Sequence, residues 1–254
     1  MPKTVLVVVC AALVARNEVG AQEKPPQVWR ATADIGANIL YGASRSRVAS
    51  VALGGSRVDS IIELRSDVSL TYADARVDDE PRRVTARSWR VSMTADHTPR
   101  RRVSLFELGS VDASLQQRVD RRYALGAGGK VTYYRKGTDD VSTSLAVLWE
   151  HTRALDPDSA TDATTTRARW SLRGRMRRQL GPMVRFTHVT FYQPAIDQLA
   201  IYIVDSNTSF EVKIDPTKSL TATWRERFDS EAGDRGARSN RDGQVLFGVR
   251  MSLP

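Results

Sequence analysis

The stretch WRATADIGANILY, Trp29 to Tyr41, alternates over its whole length. Trp29, Ala31, Ala33, Ile35, Ala37, Ile39 and Tyr41 share one parity. Arg30, Thr32, Asp34, Gly36 and Asn38 share the other, with Leu40 the exception. Successive strand side chains point to opposite faces, so this is a ribbon that is greasy on one side and wet on the other. No convincing segment of period 3.6 occurs in the chain. Period-2 segments separated by turn residues recur instead, and twelve can be counted.

Some segments are long. In 61–73, Ile62, Leu64, Val68, Leu70 and Tyr72 oppose Glu63, Arg65, Asp67 and Ser69. In 167–177, Ala168, Trp170, Leu172 and Met176 oppose Arg167, Arg169, Arg173 and Arg175. The segment 183–192 is apolar on both faces and assigns no direction. Glu107 and Glu226 sit on the apolar parity of their strands, where a bulge or a position near a membrane edge would accommodate them. The connections alternate too. GSRVDS, DHTPRR, KGTDD, LGP and IDPTK are tight, whereas ADARVDDEPRR, ALDPDSATDATTT and EAGDRGARSNRDG are long. Short turns on one side and longer loops on the other are the habit of outer-membrane barrels, and an even strand count brings the two termini to one side.

A soluble barrel or sandwich alternates as well, with its apolar faces packed inward. Three features favour a membrane. Most segments reach the roughly 9–11 residues that a transmembrane strand needs. Aromatics bracket the strands: Trp29 and Tyr41, at roughly 3.3 Å per residue and a tilt of about 40°, lie roughly 30 Å apart along the membrane normal, and Tyr123 and Tyr133 roughly 25 Å. These four form a candidate aromatic girdle. Third, the wet face mixes charges, with Arg173, Arg175, Arg225, Arg227 and Arg250 on the side of Asp34, Glu63, Asp67, Asp205 and Glu211. The expected fold is therefore all-β, an antiparallel up-and-down transmembrane barrel of about twelve strands, with ten as the alternative.

The chain start fits export. Lys3 precedes an apolar run, Val5 to Ala15, that is too short to span a membrane as a helix, and Val19-Gly20-Ala21 offers a cleavage site. Residues 1–21 are expected to be a signal peptide, 22–27 a linker and 28–254 the barrel. The single cysteine, Cys10, would leave with the signal, so no disulfide is expected. The chain has 38 basic and 29 acidic residues. Losing Lys3, Arg16 and Glu18 leaves 36 and 28, a net charge of +8. The basic residues are spread out and no RNA-binding aromatic signature accompanies them, so nucleic acid is not an expected partner. Expected partners are outer-membrane lipids, lipopolysaccharide and, during biogenesis, the barrel assembly machinery, with the barrel a monomer.

The stretch FYQPAIDQLAIYIVDSNTSFEVKIDPTKSLTATWRERFDS, from Phe191, resembles the family of salt-induced outer-membrane proteins of Gram-negative bacteria, a domain of unknown function. The likeness lies in Tyr192-Gln193-Pro194, in Tyr202, in Ser219-Leu220-Thr221 and in Phe228-Asp229-Ser230. RRYALGAGGKVTYYRKGTDDVSTSLAVLWEHTR is similar to the preceding strands of that family, so the resemblance covers roughly residues 100–253. FGVRMSL resembles the terminal strand signal of barrel clients, except that Leu253 stands where an aromatic is usual and Pro254 follows. The resemblance implies an outer-membrane barrel and brings no reaction with it.

Catalytic chemistry finds few footholds. His97, His151 and His188 lie in or near strands, and no GxSxG elbow singles out a serine. His151 and Glu150 are adjacent in a strand and so point apart. Gly126, Gly128 and Gly129 lie within a strand, which favours a kink or close crossing over a phosphate loop. Asp156, Asp158 and Asp162 lack the glycine and terminal glutamate of a calcium loop. No catalytic, cofactor or metal residues are assigned and no enzyme activity is expected. Arg167, Arg169, Arg173 and Arg175 form a candidate lumen-facing basic strip, read either as a paired network that fills a narrow lumen or as an anion-attracting lining. Structural support, a stress-related role or passive permeation is the leading functional expectation. A lipid-modifying hydrolase and a soluble periplasmic binding barrel are the alternatives.

Overall fold

The computed structural model describes residues 28–40, 44–59, 61–77, 81–156 and 163–253. The expected signal peptide, linker and Tyr41 lie outside them. Twelve strands follow one another: β1 (Val28–Leu40), β2 (Ser44–Val58), β3 (Ile62–Val77), β4 (Arg83–His97), β5 (Val103–Ser114), β6 (Val119–Lys136), β7 (Asp139–Ala154), β8 (Thr164–Gln179), β9 (Val184–Pro194), β10 (Tyr202–Lys213), β11 (Lys218–Asp229) and β12 (Arg241–Leu253). Each pairs antiparallel with its neighbours in sequence, and β1 closes on β12 with Ala31 opposite Leu253 and Ala37 opposite Phe247. Twelve strands, not ten, complete the barrel. Closure leaves no unpaired edge, which a sheet in hydrocarbon requires.

The two ends differ. Turns of two to five residues (59–61, 98–102, 137–138, 180–183, 214–217) share one end with the start of β1 and the end of β12. The three longest connections, 155–163, 195–201 and 230–240, lie at the other. The long connection expected in ADARVDDEPRR is mostly strand, because β3 and β4 run on and leave only 78–82 between them. At the short-turn end Gly137 takes φ 57°, which lets β6 return as β7 through a two-residue turn.

The faces are inverted relative to a soluble barrel. Ile35, Leu53, Leu70, Met93, Leu125, Leu145, Leu172, Leu220 and Phe247 lie exposed on the outer wall, whereas Thr71, Ser104, Lys130, Ser142, Ser144 and Ser171 are buried within. Even the shortest strand, β9, has 11 residues. At roughly 3.3 Å per residue and a tilt of about 40° it covers roughly 28 Å, enough for an apolar band of about 25 Å.

The strand that resisted a sequence reading, β9, turns Phe186, His188, Thr190 and Tyr192 outward, because they face Phe210, Thr208, Ser206 and Val204 on the outer side of β10. Neither Glu107 nor Glu226 lies at a bulge. The register shifts fall at Ala73/Asp74, Asp112/Ser114, Val119/Arg121 and Thr132/Tyr134. Both glutamates face outward beside a basic side chain. Glu107 lies 3.5 Å from His97, and Glu226 pairs with Arg241.

Candidate functional site: the barrel lumen

Strand pairing carries charge into the lumen in alternating rows. Arg90 on β4 lies opposite Asp112 on β5, which lies opposite Arg122 on β6. The barrel is narrow enough for long side chains to cross it. Arg90 Nη1 donates to Asp205 Oδ2 at 3.0 Å, although β4 and β10 are six strands apart in a ring of twelve. Arg227 on β11 reaches Asp112 at 3.7 Å and Asp205 at 3.8 Å, and Arg90 lies 3.4 Å from Asp112. Two arginines and two aspartates thus form a square across the lumen, each charge flanked by two of opposite sign.

Toward the long-loop end a second tier follows. Arg122 donates to Asp229 at 2.8 Å, and Arg235 of the 230–240 connection donates to the same oxygen at 2.6 Å. Glu150 accepts from Arg169 Nε at 2.9 Å. Glu231 accepts from Arg167 at 2.7 Å and from Arg169 at 3.3 Å. The remaining Arg169 fork donates to the carbonyls of Gln193 and Ile201 at 3.2 and 3.4 Å. The 230–240 connection therefore turns into the barrel mouth, with Ala232 fully buried and Gly233 N–H donating to Asn240 Oδ1 at 2.6 Å. Buried charges persist only when paired and hydrogen-bonded. Here Asp229, Arg169 and Arg122 are 1 %, 2 % and 3 % exposed, yet each has charged partners.

An apolar cluster lies between this network and the short-turn end. Phe106, Ala146 and Leu148 are buried, with Leu108 against them. Gly126 and Gly128 face this cluster. A Cβ at Gly128 would strike the Leu145 carbonyl and the Ala146 backbone, so the glycines let β6 lie close against β7. Below the cluster the lumen opens to water. Buried Lys130 pairs with Asp96, whereas the pairs of Glu63 with Arg65, and of Arg250 with Asp34 and Glu211 at 2.7 and 2.8 Å, are part-exposed.

The four arginines of the candidate strip all face the lumen, but not one environment. Arg167 and Arg169 belong to the closed tier. Arg173 lies over the rings of Phe106 and Phe191 at 5.3 and 5.9 Å, and Arg175 stands 3.5 Å from Asp140. The strip is cut in two by depth. Of the proposed girdle, Trp29 and Tyr133 are exposed at the short-turn end and Tyr123 at the long-loop end. Beside them at the long-loop end Tyr202 contacts Tyr192 at 5.7 Å and Phe228 at 5.2 Å, a cluster that periodicity alone did not connect.

The histidines lie outside the lumen. His97 meets Glu107, and His151 stacks on Trp149 while its Nδ1 meets Thr166 Oγ1 at 2.8 Å. His188, on the outer wall, is held between Thr208 (Nδ1, 2.8 Å) and Thr190 (Nε2, 2.8 Å). Glu150 points inward, away from its neighbour His151. Asp156 is 4.0 Å from Arg118, whereas Asp158 and Asp162 lie outside the described residues. Among the described residues no group of three or more His, Cys, Asp or Glu is placed to hold a metal ion.

Residues 33–250 match the family described as Protein of unknown function, DUF481. The chain belongs to this family. No curated protein sequence matches it. Among solved structures, this DUF481 protein is similar to the COG4313 outer membrane channel from Pseudomonas putida F1, with 9 % identity, a TM-score of 0.48, and 92 % of this chain and 99 % of that chain covered. It is similar to the KdgM porin, with 12 % identity, a TM-score of 0.44, and coverage of 88 % and 99 %. It is also similar to the translocator domain of autotransporter NalP from Neisseria meningitidis, with 10 % identity, a TM-score of 0.45, and coverage of 89 % and 87 %. At TM-scores below 0.5 these likenesses carry no functional inference.

Proposed function

We propose that this DUF481 protein is an outer-membrane β-barrel of structural or stress-related role whose lumen is closed to solutes, with passive permeation confined to moments when the closure yields. One observation carries the reading: the Arg90–Asp205–Arg227–Asp112 square spans the lumen from wall to wall, backed by Glu231 on Arg167 and Arg169. The exposed apolar outer wall supports a lipid surrounding over a soluble periplasmic barrel, since water would leave that whole belt uncovered. Outer-membrane lipids, lipopolysaccharide and the assembly machinery are its partners in this reading, the barrel acts as a monomer, and export through a cleaved signal precedes assembly. The stress-related part follows from the resemblance to salt-induced proteins, and transcript levels after a step in external salt test it.

Conductance tests the closed lumen. The refolded chain is inserted in a planar bilayer, with heat-modifiable gel mobility as proof of folding. A folded barrel without discrete current steps is expected. Regular steps, with a reversal potential displaced toward anions under a salt gradient, would overturn the closure and make the arginine strip a pore lining.

A second reading, a lipid-modifying hydrolase, rests on His188. A histidine between two hydroxyls, with Ser206 Oγ 3.1 Å from Thr190 Oγ1, has the outline of a nucleophile, a base and an orienting group. The surrounding strand N–H groups are engaged in the β9–β10 ladder, which leaves no backbone donors for an oxyanion. Covalent labelling of Thr190 or Ser206 by a fluorophosphonate probe would decide for the hydrolase, and no labelling is expected.

A further inference from the structure

The open half of the lumen holds arginine forks without matching acceptors. Asp140 is the single carboxylate that Arg175 and Arg177 share, and it stands 3.5 and 3.8 Å from their Nε atoms. A good charge-assisted bond is about 2.7–2.9 Å. Arg177 Nε is buried without an acceptor, and so is the hydroxyl of Ser144, which pairs across the sheet with Arg173. Among the described residues Arg173 has no carboxylate within ion-pair distance. Its guanidinium rests on Phe106 and Phe191, which position the fork and leave its N–H groups free. Arg65 comes from the far wall on β3, within electrostatic reach of Arg173, Arg175 and Arg177, and gives its Nε and one Nη to Glu63, which leaves its other Nη toward the lumen.

Four cations, Arg65, Arg173, Arg175 and Arg177, thus converge on two paired carboxylates, Glu63 and Asp140. Asp67 is in electrostatic reach of Arg65 and Arg175 but forms no ion pair with a described residue. The local excess is one to two positive charges, beside a balanced Lys130–Asp96 pair. The floor is closed by Phe106 and the ion tiers beyond it, and the mouth faces the short-turn end, where Arg65 and Arg177 are 33 % and 28 % exposed.

We propose that this blind vestibule is a binding site for a small divalent oxyanion of the phosphate class, held by the Arg173 and Arg175 forks with Ser144 as a further donor, and by Arg65 and Arg177 at its rim. Planar forks in pairs suit tetrahedral oxyanions better than halide, because each fork offers two parallel N–H donors to two oxygens. The site depends on the short-turn half alone and stands whether or not the long-loop half conducts.

The test is isothermal titration of the refolded full chain in detergent with inorganic phosphate and with pyrophosphate, at constant ionic strength set by chloride. Saturable binding is expected, weakened at least tenfold in Arg173→Gln and Arg175→Gln. It should be unchanged in Arg153→Gln, whose side chain is on the outer wall at the other end and 67 % exposed. Gel mobility verifies each fold. If a Gln variant does not fold, Arg175→Lys keeps the charge, loses the fork and is expected to weaken pyrophosphate by several-fold. No saturable heat, equal loss in Arg153→Gln, or competition by chloride at equal concentration would overturn the site. A silent bilayer together with absent phosphate binding would sink this proposal and leave the closed lumen intact.

Discussion

Asp229 ties the second tier to the 230–240 connection, and replacing it with alanine tests that tier directly. Its carboxylate accepts from Arg122 at 2.8 Å, from Arg235 at 2.6 Å and from the Glu231 backbone N–H at 3.1 Å. Asp229→Ala removes both acceptor oxygens and with them three hydrogen bonds. Arg235 sits at the mouth and can turn to water. Arg122, 3 % exposed, cannot, and Glu150 at 3.9 Å is too distant to replace the lost bond. Removing one partner of a buried charge costs about 3–5 kcal/mol; Arg122 keeps the field of Glu150 and of Asp112 opposite it, so the lower end, about 3 kcal/mol or two powers of ten in the unfolding constant, is expected. The same change unties the 230–240 connection, since Glu231 and Arg235 are its inward contacts. Urea titration of the refolded barrel in lipid vesicles, followed by tryptophan fluorescence, gives the first number, and bilayer current gives the second. The paired variant Arg122→Met with Asp229→Leu removes both charges and should recover most of the stability, though not the loop anchor. An Asp229→Ala barrel within about 0.5 kcal/mol of the parent, the range of an ordinary surface change, and equally silent in a bilayer would refute the claim that this tier holds the lumen shut.

Three further outcomes follow from other parts of the wall. Gly128→Val places two methyls against the Leu145 carbonyl and Ala146 and should separate β6 from β7, with loss of the heat-resistant folded band at temperatures the parent survives. Leu145→Arg, on the exposed outer face of β7, should cost about 2–4 kcal/mol in a bilayer, and a neutral result in vesicle unfolding would mean that this face does not meet lipid. In the 214–217 turn, hydrogen bonds from the Thr217 hydroxyl and N–H and from the Lys218 N–H hold the Asp215 carboxyl below its ordinary range. A folded value below the unfolded one means that the turn gains support above the ordinary carboxylate pKa and loses it as pH falls through the lowered value. NMR titration of the Thr217 and Lys218 amides should show one acidic midpoint, absent in Asp215→Ala.

Much of the wall was legible because a closed sheet has one rule, period two, and its lipid face repeats it from Trp29 to Met251 without reference to any distant residue. The strand Val184–Pro194 broke the rule because its outer face carries His188 and Thr190 while its inner face carries Val189 and Phe191. Its orientation is decided by partners on β10 and not by its own composition. The lumen was legible only as a mixture of signs. Which arginine meets which carboxylate depends on register summed around the ring, and a one-residue shift in any pair would redistribute every contact. Arg90 and Asp205 are separated by 115 positions in the chain and meet because half the circumference brings them face to face. The basic row on β8 shows the consequence most plainly. Four arginines of one parity look equivalent in sequence, yet depth separates them. Arg167 and Arg169 find Glu231 on a loop that folds inward, and Arg173 and Arg175 find aromatic rings and one distant carboxylate. The same residue type therefore serves as lock in one half of the barrel and as open donor in the other.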